Sequence, residues 1–268
     1  MKANENALGT VHAVWDALRG ASMSHFPLLE KEELMSGKPL DDVIVSQILA
    51  VLSPVEPPSV SGDKTGIESV MEKARETLDE VKGLTEYQDQ KATRLLTIIS
   101  FLSALAAALF TRFSTAYSLQ NYLIGPHINW QATGVVVSYI LFGSFVLCAV
   151  GGALVVFFAT QTRFKWPKRG DGPRSRLFYA GILAASPGVW AKSFVDDSKQ
   201  PKEFVSPAYL QTVYTKDYLL EGYLVAAKVA DKLRYLEPAQ RLLYLAVKIL
   251  LAWVILIGVV SVTTQATK

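Results

Sequence analysis

From Phe113 to Thr162 the chain carries no Asp, Glu, Lys or Arg. A soluble fold of this size does not leave so long a stretch without a charge, because charged side chains keep its surface in water. The run therefore points to a bilayer. One span is read at Leu95–Thr111, near the lower length limit for crossing, and a second at Gly134–Thr160. Arg94 and Arg112 bracket the first and reach opposite interfaces by snorkelling. Trp130 and Trp166 flank the second as interfacial anchors. A third span is read at Leu242–Val262. The expected fold class is an all-α membrane protein with three transmembrane helices, two of which continue as long cytoplasmic helices.

A hydrophobic seam joins the first span to the chain before it. It passes through Ile67, Met71, Ala74, Leu78, Val81, Thr85, Gln88, Ala92, Leu95, Ile99, Leu102, Ala106, Leu109 and Phe113. The steps alternate four and three, the spacing of one face of a packed helix. The seam implies one helix of about 50 residues, about 75 Å long. It turns polar at Thr85 and Gln88, just before the membrane. Polar seam residues specify register or oligomeric state; the plainer reading is a loosened stretch of helix over Gly83–Asp89.

Charge is divided unevenly. Residues 1–90 hold eight Lys or Arg against sixteen Asp or Glu, and residues 91–268 hold nineteen against eight. The second span is followed by Arg163, Lys165, Lys168, Arg169, Arg174 and Arg176. By the positive-inside rule that end faces the cytoplasm. The N-terminal region is then cytoplasmic as well, and the 112–133 connection faces outside. The N-terminus has no basic-then-apolar signal pattern. Met1–Gly20 reads as an amphipathic helix. Asp41–Ser53 reads as another, with Val43, Ile44, Ile48 and Val51 on its apolar side, and Ser61 or Asp63 caps the long helix that follows. A second long helix starts at Pro207, and Pro238 kinks or restarts it before the third span. No strand pattern or internal repeat is evident. The expected regions are 1–60 (cytoplasmic helices), 61–94 (long helix leading to the membrane), 95–162 (two spans), 163–241 (basic segment and long helix) and 242–268 (third span and tail).

Catalytic and metal chemistry find no support. His12, His25 and His127 share no ligand spacing, and there is no phosphate-cradling glycine loop, nucleophile elbow or HExxH. Cys148 is the only cysteine, so one chain builds neither a disulfide nor a thiol metal site. Asp196-Asp197 reads as an acidic surface turn. No catalytic residue, metal or cofactor is expected, and the protein is not expected to be an enzyme.

Three features remain as candidate sites. Ser144, Cys148 and Gly152, with Ala149 and Ala153 beside them, place small residues at helical spacing within the second span, for packing inside the chain or between subunits. Lys248 lies inside the third span, where it either snorkels towards the cytoplasmic side or lines an aqueous path in an oligomer. The basic cluster Arg163–Arg176 suits lipid head groups, the phosphates of a nucleotide or oligonucleotide, or an acidic partner surface.

The segment Tyr87-Gln88-Asp89-Gln90-Lys91-Ala92-Thr93-Arg94-Leu95-Leu96 leads straight into the first span. It resembles the AD-x-KA-x-x-LL entrance of the transmembrane effectors of Pycsar systems and of the related SLATT membrane effectors, with Gln88 standing where the family has a small residue. Arg176-Leu177-Phe178-Tyr179-Ala180-Gly181 is similar to the family's LFFG-like stretch, and Lys228–Tyr244 to its approach to the last span. The resemblance covers roughly residues 85–262; the first 60 residues match no sensor domain. It implies a bacterial anti-phage effector of the inner membrane that performs no chemistry. Such an effector homo-oligomerises and perturbs or perforates the membrane under a nucleotide signal made by a partner nucleotidyltransferase or cyclase. Thr85, Gln88, Asp89 and Lys91 are then the expected coupling point. A membrane anchor or adaptor for a cytosolic partner, or a small transporter subunit, remains the alternative.

Overall fold

The computed structural model describes residues 8–21, 40–52, 64–120, 130–161, 175–183 and 185–266. Expectations at Ser61, Asp63, Trp166 and the basic residues Arg163, Lys165, Lys168, Arg169 and Arg174 lie outside them. In chain order the elements are α1 (Thr10–Arg19), α2 (Leu40–Leu52), α3 (Lys64–Ala116), α4 (Trp130–Thr160), α5 (Tyr179–Leu183), α6 (Pro187–Lys192), β1 (Val195–Asp196), β2 (Glu203–Phe204) and α7 (Pro207–Ala266). Helices α3, α4 and α7 are each long and apolar enough to cross a membrane, so the all-α membrane architecture is the one the chain adopts.

Three local features differ from the sequence reading. Val51 is exposed, because α2 is held through Ile44, Val45 and Ile48 against Leu220 and Leu224. A two-residue antiparallel ladder pairs Val195 with Phe204 and Asp196 with Glu203, too short for alternation to reveal. Helix α7 runs through Pro238 without a break. The proline removes one backbone donor, while Leu236 and Ala239 on either side are buried in the core.

The chain forms two compact units, each assembled from separated pieces rather than from consecutive regions. One comprises Met1–Met23, Gln88–Gln161 and Lys232–Lys268; the other comprises Ser24–Tyr87 and Thr162–Asp231.

The first unit is the apolar bundle. Its core joins Ala92, Ile99 and Ala106 of α3 to Phe145, Ala149, Val155, Val156 and Ala159 of α4 and to Leu236, Ala239, Leu243, Ala246, Leu250 and Trp253 of α7. Along α7 these buried positions advance by three and four in turn. Along α4 the same alternation runs through Phe145, Ala149, Gly152, Val156 and Ala159. This is the periodicity of side chains meeting at small crossing angles. Of the seam positions read on α3, all are buried or half-buried except Leu109. At the other end of the bundle Phe113, Val135 and Val260 close a second cluster. Between the two, Phe110 stacks on Phe142 with ring centroids 3.8 Å apart, and Trp253 lies 5.2 Å from Phe142. Tyr139 donates its hydroxyl to the Tyr117 carbonyl at 3.0 Å. Outward, Phe101, Leu147, Val150, Leu251 and Ile255 are exposed, an apolar girdle that suits lipid and not water.

Small residues set how closely the helices approach. A Cβ on Gly152 would stand 2.6 and 2.8 Å from Leu243 Cδ2 and Cγ, and 3.4 Å from the Ala239 carbonyl oxygen. Gly152→Val must therefore displace the Leu243 side chain or part α4 from α7. It should cost about 1–3 kcal/mol and lower the thermal midpoint of the detergent-solubilised chain. Adding Leu243→Ala should recover part of that loss, and a double variant no better than Gly152→Val alone would contradict this contact.

Candidate functional site

The entrance to the bundle is built around one ion pair. Lys232 Nζ donates to Asp89 Oδ1 at 2.7 Å. The lysine side chain is 2% exposed and the aspartate 46%. That asymmetry decides what the pair does: water can serve the carboxylate, but the buried ammonium depends on it. Lys232 lies one helical turn before Leu236, in phase with the buried face of α7. The sequence offered this signal, since extending that face backwards from Leu236 lands on Lys232. Three residues further on, Tyr235 donates its hydroxyl to Asp16 of α1 at 3.0 Å and meets the Phe158 ring edge-on at 5.1 Å.

The four expected coupling residues are therefore not equivalent. Asp89 is joined to α7. Gln88 is buried. Thr85 donates its hydroxyl to the Val81 carbonyl of its own helix at 2.9 Å. Lys91 faces outward. Among the expected packing residues, Gly152 is buried against α7, while Ser144 and Cys148 are only half-buried. Steps of four drift around a helix of 3.6 residues per turn, so the buried line passes through Ala149 to Gly152 instead. Lys248 is exposed, with Nζ 4.4 Å from the centroid of the Tyr244 ring one turn back. It points along the outside of α7 towards the charged end and away from the bundle core.

The second unit holds a different charge centre. Arg176, expected among exposed anion-binding residues, is turned inward: its backbone N–H donates to Asp217 Oδ2 at 3.1 Å and its guanidinium Nη1 lies 3.5 Å from the same oxygen. Both side chains are largely buried. The buried carboxylate draws the guanidinium in, because a buried charge of either sign is costly without a partner. One turn along α7, Glu221 is buried and accepts a hydrogen bond from the Ser175 hydroxyl. Ser175 Oγ in turn accepts the N–H groups of Leu177 and Phe178 at 3.2 and 3.3 Å, capping the turn that leads into α5. Gly181 closes over this turn. A Cβ there would stand 2.8 Å from Ser175 Cβ, 3.0 Å from its nitrogen and 3.1 Å from its oxygen. The Arg176–Gly181 stretch is thus a compact clasp seated on two acids of α7. Asp217 and Glu221 were not singled out in the sequence. Their i, i+4 spacing on a long charged helix gives no sign that both point inward.

Burial raises both carboxyls above their ordinary values of 3.8 and 4.5. Around Asp217, Arg176 opposes the rise through its backbone hydrogen bond and its charge. Around Glu221, the Ser175 hydrogen bond and the charge of Lys82 oppose it, and the neighbouring Asp217 adds to it. Asp196 ends β1 and Asp197 follows it in the expected surface turn. Asp196 accepts from Ser198, and Asp197 pairs with Lys202 at 2.8 Å. Both carboxyls are lowered, Asp196 chiefly by its Ser198 hydrogen bond and Asp197 by Lys202.

A family model described as the Pycsar effector protein domain matches residues 73–260. The match takes in the apolar runs of all three long helices, the Asp89–Lys232 pair and the clasp. No curated protein and no solved structure matches the chain.

For the raised acids the sign of the pH effect is fixed. Between its ordinary and its raised value each carboxyl binds more proton in the folded than in the unfolded chain, so stability rises as pH falls through that window. Above it the full cost of the buried charge is carried. Glu221→Gln should raise the thermal midpoint at neutral pH, by about 1 kcal/mol of stability. The gap to the unsubstituted protein should close on acidification. A gap that widens on acidification would contradict this assignment.

Proposed function

This chain belongs to the Pycsar effector family, and from that membership we propose that it is a bacterial anti-phage effector. In this reading it homo-oligomerises in the inner membrane and makes that membrane leak in response to a nucleotide signal. The signal is a cyclic nucleotide or an oligonucleotide made by a partner cyclase or nucleotidyltransferase, and the effector itself performs no chemistry. The N-terminal region and the basic segment are on the cytoplasmic side of the membrane, where such a signal is made. Arg163, Lys165, Lys168, Arg169 and Arg174 are the residues we assign to anion binding. Arg176, held by Asp217, is left out of that set.

The observation that carries the reading is the Asp89–Lys232 pair, which joins α3 to α7 ahead of the apolar runs of both helices. A buried charge that depends on one partner across two helices makes a contact that is costly to break and therefore defined in state. Together with the buried Gln88 and with Thr85 and Lys91 beside it, we assign this level as the coupling point. Lys248, on the outside of the single chain, reaches an aqueous path only where copies assemble around it. That links its role to oligomerisation.

The test uses the full chain reconstituted into dye-loaded vesicles and exposed to a panel of cyclic nucleotides and short oligonucleotides. At least one signal should cause leakage. Gln88→Leu and Asp89→Ala should change the signal concentration required severalfold, and Lys248→Ala should slow the leak. Vesicles that stay sealed under every signal, with the protein fully inserted, would favour a membrane anchor instead. An unchanged response in all three variants would remove the coupling and pore assignments.

A further inference from the structure

Helix α1 lies outside the family match and meets Tyr235 through Asp16. One of its faces is committed to the bundle. Ala13 is fully buried, with Leu8, Val14 and Ala17 against the same core. Val14 Cγ2 would lie 3.6 Å from a Cβ on Gly151, and Asp16 holds Tyr235. The other face is apolar and open. Val11, Trp15 and Leu18 are 85%, 49% and 63% exposed, and their i, i+4, i+7 spacing makes them one stripe. The Arg19 guanidinium lies over the Trp15 ring, 4.4 Å from its centroid.

The level of α1 along the bundle indicates what covers that stripe. On α7 the last charged pair before the apolar run is Glu237–Arg241, exposed on both sides. Gly152 packs on Leu243 and Ala239, and Gly151 faces Val14 and Leu242. Helix α4 therefore crosses the level of Arg241 at this glycine pair. The remaining residues, 153–160, carry no charge, yet Phe158 sits beside Tyr235 among the charges of α7. Here α4 extends its apolar surface past the point where α7 has become charged, and α1 lies against it there. The groove lined by Thr10, Val11, Val14, Trp15 and Leu242 makes the stripe continuous with the start of the third apolar run.

We propose that α1 is an interfacial helix whose Val11, Trp15 and Leu18 rest in the boundary between acyl chains and head groups of the same bilayer that the spans cross. An apolar face with a tryptophan, beside a cation that reaches head-group phosphates, is the composition that such a position selects. Continuity through Leu242 with the start of the third apolar run makes the occupant lipid. The inference rests on the membrane reading of the three long helices.

The test places an environment-sensitive thiol probe on full-length Val11→Cys and Leu18→Cys proteins in vesicles of phosphatidylethanolamine and phosphatidylglycerol. Wild-type protein labelled at Cys148 sets the background. Leu147→Cys, on the lipid-facing side of α4, and Glu68→Cys, on the exposed side of α3, are the references. Doxyl-labelled lipid should quench both α1 probes, and their iodide quenching should be severalfold weaker than at Glu68. Iodide access equal to that at Glu68 would overturn the proposal while leaving Leu147 lipid-quenched and the membrane reading intact. Shielding from both quenchers would mean that protein, such as a second copy, covers the stripe, and would also overturn it. Loss of lipid quenching at Leu147 as well would remove the membrane reading together with the proposal.

Discussion

Lipid gives apolar helices no hydrophobic reason to associate, so the bundle depends on how closely its backbones approach. Ala92 and Ala106 on α3, Ala149, Gly152 and Ala159 on α4, and Ala239 and Ala246 on α7 are all buried. They keep the three helices near enough for dispersion contacts to accumulate. The larger residues are concentrated where the spacing allows, in the Phe110, Phe142 and Trp253 group. The alternation of three and four follows from the same requirement, because a face that must stay in contact over many turns cannot drift around the helix.

Within that frame the buried polar and charged groups stand out. Lys232 and Gln88 occupy positions that the packing pattern would fill with apolar residues, and Asp217 and Glu221 are buried on the same helix that later carries the third span. Replacing such groups with apolar ones is often neutral or stabilising, while removing a single partner is costly. They are better understood as fixing one arrangement than as adding stability. In the second unit the fixed arrangement is the Ser175–Gly181 clasp. Its serine caps a turn, its arginine meets Asp217 and its glycine leaves room for the Ser175 backbone.

The seam on α3 was legible because every packed turn repeats the same constraint, and the repeat survives the change from charged to uncharged surroundings. Leu109 departs from it by remaining partly exposed. The spans were legible because lipid excludes charge. The partner of Asp89 was harder to see. Lys232 sits in a charged stretch, Asp231-Lys232-x-Arg234, and composition does not distinguish a buried lysine from a solvated one. Only its phase with Leu236, Ala239 and Leu243 does. Within the small-residue face of α4 the buried line runs through Ala149 and Gly152, with Cys148 half-buried against the same core, because steps of four track a face for two turns and then leave it. Arg176 was grouped with its basic neighbours, although its pairing with Asp217 spans 41 positions in the chain.

By itself the sequence determined that this protein is helical, that three of its segments suit a bilayer, and which face of α3 is packed. Each of these follows from periodicity or from the exclusion of charge, and both are local properties. Only the tertiary structure decided that α1 belongs with the apolar bundle, that Lys232 answers Asp89, and that Arg176 turns inward. Those outcomes depend on which buried groups meet across distant parts of the chain. A hydrogen bond or an ion pair has no periodic trace in the residues between its two ends.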